Sequence, residues 1–575
     1  MPNPRVALHE RLQAAFSAVT GNGADPIVRR SQHADYQANG ALAAAKASGR
    51  KPRDVAAEVL AAADLSDLCT NVEISGPGFI NLTLDPALLG ASLERMAAEE
   101  RFGIAPPATP EPVVVDYSAP NAAKEMHVGH LRSTIIGDAV VRLLEWQGQA
   151  VVRENHVGDW GTPFGMLVEH LVDLGEAAGG ELLSVGDLNA FYQQARAKFD
   201  ADEAFKARAR RRVVALQSGD EETLRLWRVL VEQSERYFVD VYELLDVTLT
   251  HEHFMGESAY NDQLESVVSE LEAKGLLELS EGALVVFPPG HVGRDGTPLP
   301  LIVRKADGGY GYAATDLATI RDRVGRLAAR RLAYVVGAPQ RQHLQMVFDV
   351  ARAAGWLPDD VRVEHVAFGS VLGTDNKMLR TRAGASIRLM DLVEEAIALA
   401  SDALRERRPE LAGDELREAA RAIGIGAIKY ADLSTDRVRD YVFDYDRMLA
   451  FEGNTGPYLQ YACVRVRSLL EKAGDLVPAA PPPLLIAHPA ERSLALALLE
   501  LETVVAEVTA SLELHRLANH LYEVASRFSD FYERCPILPE PDAAVRDSRL
   551  ALSRLTGDVL VEGLSLLGIR TPARM

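Results

Sequence analysis

At 575 residues the chain is too long for one hydrophobic core, so several domains are expected. Its 47% hydrophobic and 25% charged residues are those of an ordinary soluble protein, and no stretch approaches the ~18 apolar residues of a membrane span. Eighty-two acidic against 61 basic residues give a net charge of −21, which as a global sum argues against a polyanion partner. RNA binding needs only a local basic face, however, and arginines at Arg208–Arg212 and at Arg465 and Arg467 leave one open. Cys69, Cys463 and Cys535 are far apart and form no CxxC pair, which argues against a disulfide framework and a thiolate zinc site. Met1-Pro2-Asn3-Pro4-Arg5 leads into an amphipathic pattern rather than a signal peptide, and a cytoplasmic protein with no membrane partner is expected.

In chain order, a helical pattern opens the sequence and an Ala-rich segment, Ala41 to Ala63, follows. Asn71–Leu84 reads as strand, turned at Gly76-Pro77-Gly78. The Pro-rich connector Ile104–Pro110 stops helix and strand alike and marks a domain boundary. From Pro112, apolar runs alternate with helices: strand Val113–Asp116, helix Leu131–Gln147, strand Ala150–Arg153. Strands at Arg331–Val336 and Val361–Phe368 flank a helix at Gln342–Ala354. This alternation implies a parallel α/β sheet with ligands at the carboxyl ends of its strands. A mostly helical insertion, about 181–274, separates the two halves, and from Leu389 onward the periodicity is almost only helical, apart from a Pro-rich loop at Pro478–Pro483. The expected fold is α/β, with a Rossmann-like parallel-sheet catalytic domain over 111–388. An N-terminal α+β domain over 1–105 and a C-terminal α-helical bundle over 389–575 complete it.

Chemistry concentrates in Asp116-Tyr117-Ser118-Ala119-Pro120-Asn121-Ala122-Ala123-Lys124-Glu125-Met126-His127-Val128-Gly129-His130-Leu131. The run follows a predicted strand and opens a predicted helix, where free N–H groups and the helix dipole favour an anion. His127 and His130 flank a glycine that lets a ligand approach the backbone closely, and both can donate to phosphate oxygens during displacement at an α-phosphate. Four residues alone could be a chance pairing or a partial metal site; the strand–turn–helix context favours phosphate.

His127-Val128-Gly129-His130 resembles the "HIGH" signature of class I aminoacyl-tRNA synthetases, and Ser118 through Thr134 resembles its arginyl-tRNA synthetase form. So do His156–Gly161, Tyr312–Asp316, Gly337–Leu344 and Phe451–Tyr458, so the resemblance spans nearly the whole chain. It implies a ligase that uses ATP with Mg²⁺ to activate L-arginine and transfers it to the 3′ end of tRNA(Arg), with tRNA bound first. No zinc and no editing domain are expected, and a monomer is. Asp116, Ser118, Asn121, Tyr312, Asp316 and Gln340 match arginine contacts, the two carboxylates suiting a planar, always-charged guanidinium. His127, Gly129, His130, Gln340 and His343 match ATP contacts. Lys377-Met378-Leu379-Arg380-Thr381-Arg382 stands where the family's "KMSKS" loop is expected and departs from it. Lys377, Arg380, Arg382 and Lys124 all remain open as the cation beside the triphosphate. Tyr458, Tyr461 and the terminal Met575 match tRNA contacts, and the segment around Gly76–Asn81 resembles a domain that touches the outer corner of tRNA.

Plainer readings stand beside these. Asp316 could cap a helix starting near Leu317, whereas Asp116, ending an apolar run, is poorly placed unless it faces a cleft. His251-Glu252-His253 lacks the spacing of a metal site, and Gly308–Gly311 reads as a hairpin turn positioning Tyr312. Tyr458 and Tyr461 share a helical face and could simply pack. Rival functions are another class I synthetase or smaller nucleotidyltransferase, an inactive RNA-binding derivative, and a metal-dependent hydrolase.

Overall fold

Four short runs, Pro112–Asp116, Ala150–Glu154, Arg331–Tyr334 and Arg362–His365, pair as one fully parallel sheet in a computed structural model. The structure describes residues 3–21, 23–175, 188–293, 295–380 and 387–575. Across the sheet the order is Arg362–His365, Arg331–Tyr334, Pro112–Asp116, Ala150–Glu154. The chain leaves Pro112–Asp116 toward one edge and later fills the other, so the strand order reverses between Pro112–Asp116 and Arg331–Tyr334. A crevice opens at such a reversal, beyond the carboxyl ends of the strands. Two strands stop earlier than their apolar runs suggest, and Gly337 and Phe368, just past their ends, line that crevice.

The helix Val128–Trp146 packs across the first strand with its apolar face buried. Downstream, helices Leu188–Ala201, Glu203–Gln217 and Glu221–Leu244 form the helical insertion, whose expected opening at 181–187 lies outside the described residues. A three-stranded antiparallel sheet, Glu278–Ser280, Ala283–Val286 and Leu301–Arg304, follows it; periodicity gave no sign of this sheet, because its strands are only three or four residues long.

The N-terminal part sets a four-stranded antiparallel sheet against helices. Its Ala-rich segment is two helices, Gly40–Ser48 and Pro52–Ala62, parted where Gly49 adopts φ +68°. Beyond Leu389 the chain is helical except for Tyr441–Val442, which pairs in parallel with Val371–Leu372 and so ties the second signature loop to the helical part. Among the described residues no helix is long and apolar enough to cross a membrane, and the three cysteines are free.

Candidate active site

The loop between Asp116 and Val128 is wound tightly. Ser118, Ala119 and Ala123 have φ of +71°, +46° and +60°, a region that costs non-glycine residues energy and is held only where the surroundings over-determine it. Those surroundings are identifiable. Ala119 N–H donates to Asn155 Oδ1 (2.9 Å), Ala123 N–H to Ser234 Oγ (2.8 Å), and the Ser118 hydroxyl bonds Thr134 Oγ1 (2.9 Å) and the Tyr242 hydroxyl (2.8 Å). Ser118, read from the sequence as an arginine contact, thus has both protein partners in place and shapes the loop. Asn121, exposed, lies beside Gly158, where an added Cβ would sit 2.4 Å from Asn121 Oδ1.

The loop delivers two histidines to the helix start. His127 is the N-cap: its Nδ1 accepts from Gly129 N–H (3.0 Å), while His130 Nδ1 accepts from His127 N–H (3.1 Å). A Cβ at Gly129 would lie 2.6 Å from His127 Cε1, so this arrangement requires glycine. The rings are 4.2 Å apart. Burial, then the Lys124 charge, lowers the His127 pKa; burial, then His127, pushes His130 down to about 3. Both rings are therefore neutral near pH 7, and a neutral imidazole that accepts at Nδ1 carries its proton on Nε2. Each Nε2–H is left as a donor at the positive end of a helix.

A cleft of about 450 Å³ adjoins the pair, lined by His127, Gly129, Gly337, Phe368, Met378 and Arg380. Arg380 thus shares a wall with His127, whereas Lys377 lines a neighbouring outer groove of about 1200 Å³. Lys124 extends toward the insertion, its Nζ 4.4 Å from the Tyr192 ring centre. Arg382 lies outside the described residues. Past them the chain returns to the histidines: Val128 N–H donates to Ile387 O (3.1 Å), Leu389 N–H to Met126 O (2.9 Å), and Arg388 pairs with Glu125 at 2.9 Å.

Asp316 lies in the second turn of the helix Tyr312–Gly325, which is capped by Gly311, so the capping reading is overturned. Its Oδ2 accepts from His343 Nε2 at 2.6 Å, and this bond raises the His343 pKa. An expected arginine contact and an expected ATP contact are thereby joined. Tyr312 is 72% exposed, presented by the turn through Gly308, whose φ is +86°. Gln340 is exposed on the turn Ala338–Gln340 at the crevice edge.

Asp116 needs no cleft to be tolerated. The buried Arg323 guanidinium donates to Asp116 Oδ2 (2.8 Å) and Glu154 Oε2 (2.6 Å) and lies over the Tyr334 ring. Arg323 escaped the sequence reading, although it stands seven residues, two helical turns, beyond Asp316 on the same face. Glu257 escaped it too, and no motif marks it. Burial, then the charges of Asp159 and Asp316, pushes its carboxyl up to about 8. Among the described residues no group of three or more metal-ligating side chains occurs; His253 instead caps Thr250, and His251 pairs with Glu235 at 3.0 Å.

In the helical part, Tyr461 is 43% exposed on the helix Gly456–Ala473, while Tyr458 is half-buried with its ring 5.6 Å from Tyr522. Arg465, one turn beyond Tyr461, stacks 4.2 Å over Tyr532. Met575, expected as a tRNA contact, has its side chain buried in an apolar cluster with Leu404, Leu411 and Val464, and its main-chain oxygen accepts from Arg408 (2.6 Å).

A parallel sheet whose crevice receives two capping histidines at a helix start is the catalytic fold of class I aminoacyl-tRNA synthetases. Residues 96–445 match the family model described as tRNA synthetases class I (R), catalytic domain. Residues 459–575 match the DALR anticodon binding domain, and 6–84 the arginyl tRNA synthetase N terminal domain. An arginine–tRNA ligase of Thermobifida fusca is 54% identical with both chains fully covered, and one of Cellvibrio japonicus is 47% identical at the same coverage. The crystal structure of a Plasmodium falciparum arginyl-tRNA synthetase superposes with TM-score 0.86 at 27% identity, covering all of both chains. The solved structure of a Thermus thermophilus arginyl-tRNA synthetase gives 0.82 at 26%, covering 99% of this chain and all of the other. The chain belongs to the arginyl-tRNA synthetase family, and its activity is that of an arginine–tRNA ligase.

Proposed function

We propose that the cleft beside His127 and His130 binds ATP, and that the carboxylate pocket around Asp316 binds the arginine side chain. An arginine carboxylate oxygen attacks the α-phosphorus, its bond to the bridging oxygen breaks, and pyrophosphate leaves. A ribose hydroxyl at the tRNA 3′ end then attacks the adenylate carbonyl, and AMP leaves. The protein forms no covalent intermediate; it orients the reactants and meets developing charge with fixed dipoles. His127 and His130 give Nε2–H bonds to phosphate oxygens, Gly129 allows close approach, and Gln340 and His343 border the nucleotide. Asp316 and Tyr312 hold the guanidinium with Glu257 nearby; Asp116 acts behind them through Arg323, and Asn121 meets the α-amino and carboxylate end. Lys124 and Arg380, which flank the histidines, are the favoured triphosphate cations. Magnesium enters as the ATP complex, held chiefly by phosphate oxygens.

On the helical part, Tyr461 with Tyr458 contacts tRNA, and Met575 anchors the end of the chain beside them; the N-terminal domain meets the outer corner of tRNA. The enzyme works as a monomer in the cytoplasm and activates arginine only with tRNA bound. The observation that carries the reading is the neutral histidine pair with both Nδ1 atoms engaged. The test is pyrophosphate exchange into ATP with each amino acid, with and without total tRNA. Exchange is expected with arginine and tRNA only, and His127→Ala should lose most of it, roughly 100-fold or more, while still binding tRNA. Exchange with lysine or glutamine would remove the specificity assignment, and an active His127→Ala would remove the phosphate role.

A further inference from the structure

The helical insertion grips the signature loop at three points. Tyr242 bonds the Ser118 hydroxyl (2.8 Å), Ser234 accepts from Ala123 N–H (2.8 Å), and Tyr192 on Leu188–Ala201 places its ring 4.4 Å from Lys124 Nζ. The first holds a side chain and the second a backbone N–H, on either side of Asn121 and in residues of positive φ. The third acts on the one lysine of that loop. Ala123, held by Ser234, is its chain neighbour, so both the root and the tip of Lys124 are restrained by the insertion.

A free lysine side chain samples many rotamers and ordering it is costly, whereas an aromatic face attracts an ammonium resting over it and offsets part of that cost. A cation that must meet a triphosphate gains from being placed beforehand, since the ordering cost is then met in folding rather than in binding. Lys124 is close enough to His127 and His130 for its charge to lower the pKa of both.

We infer that Tyr192 is a positioning residue for ATP activation, its ring holding the Lys124 ammonium where the triphosphate is bound. This rests on Lys124 serving the triphosphate. It also assigns a task to the insertion: supplying the platform for a cation in a chain whose second signature loop departs from the lysine pattern.

Pyrophosphate exchange with arginine and tRNA tests it in the full-length enzyme. Tyr192→Leu should lose about tenfold in kcat/KM for ATP, with the arginine KM, the melting temperature and tRNA affinity unchanged. Tyr192→Phe, which keeps the ring face, should retain the parent value, and Lys124→Met should lose at least as much as Tyr192→Leu. In the double variant Tyr192→Leu should cost nothing further. A Tyr192→Leu enzyme with unchanged or improved ATP use, or a Tyr192→Phe enzyme as impaired as it, overturns the inference while Lys124→Met remains impaired. An active Lys124→Met enzyme overturns the assignment of Lys124 and the inference with it.

Discussion

Glu257 carries the clearest consequence at the scale of single residues. With its carboxyl pushed from 4.5 up to about 8, the folded protein holds this proton more tightly than the unfolded chain, so stability from this group falls as pH rises through that window. On the proposal that arginine binds beside Asp316, its guanidinium reverses the preference, because it favours the carboxylate. Arginine binding should therefore release up to about one proton near pH 7 and tighten as pH rises from roughly 6.5 to 8.5. Calorimetry in buffers of different ionisation heat measures the release, and Glu257→Gln should abolish it. Binding without proton release in the parent enzyme would take Glu257 out of the pocket. The two histidines show the same dependence on surroundings: their spacing was legible, but neutrality and the Nε2–H tautomer come from burial and from the N–H groups that engage Nδ1.

Among elements, the signature helix Val128–Trp146 is fixed by its neighbours more than by its own sequence. Arg132, one turn into it, donates through Nε to both oxygens of Asp432 (3.3 and 3.1 Å) on the helix Gly413–Leu433, and through Nη1 to Arg439 O (2.9 Å). Both partners are buried, and burial pushes the Asp432 carboxyl up, with Arg132 only partly opposing. Removing one member of such a pair strands a charge, at about 3–5 kcal/mol, whereas replacing both with apolar groups is close to neutral. Asp432→Leu should lower the melting temperature by several degrees, and Arg132→Met with Asp432→Leu should recover most of it, as thermal unfolding can measure; equal losses in both would mean that the pair is not the source. Element type and order were readable because helix and parallel strand impose different apolar periods. The short antiparallel strands between 278 and 304 were not, since three or four residues define no period.

Across the whole molecule, the N-terminal domain closes on the helical part at residues 492–500. Asn3 donates to Leu499 O (2.6 Å), Arg5 pairs with Glu500, the Tyr36 hydroxyl donates to Glu500 Oε1 (2.8 Å), and Arg492 donates to Asp35 (2.8 Å). Glu500→Ala leaves Arg5 and Tyr36 without this partner. Amide exchange should then rise in the N-terminal domain and around 484–500 while the cleft beside His127 is unchanged; a rise spread evenly over the molecule would contradict so local a clasp. A second junction joins catalytic and helical parts, where the buried Lys429 donates to Gly568 O (2.7 Å) and Asp246 O (3.2 Å) beside Asp138 of the signature helix.

By itself the sequence determined the parallel α/β core, the place of the histidines at a helix start, and the order of the family's motifs, because these are set by local periodicity and short-range chain geometry. Only the tertiary structure decided that Asp116 is neutralised by Arg323, that Met575 is buried, that Asp316 meets His343, and that Lys124 lies over Tyr192. Those outcomes join residues tens to hundreds of positions apart, and their energies depend on burial and on which charges share a low-dielectric space, quantities that no local pattern of residues contains.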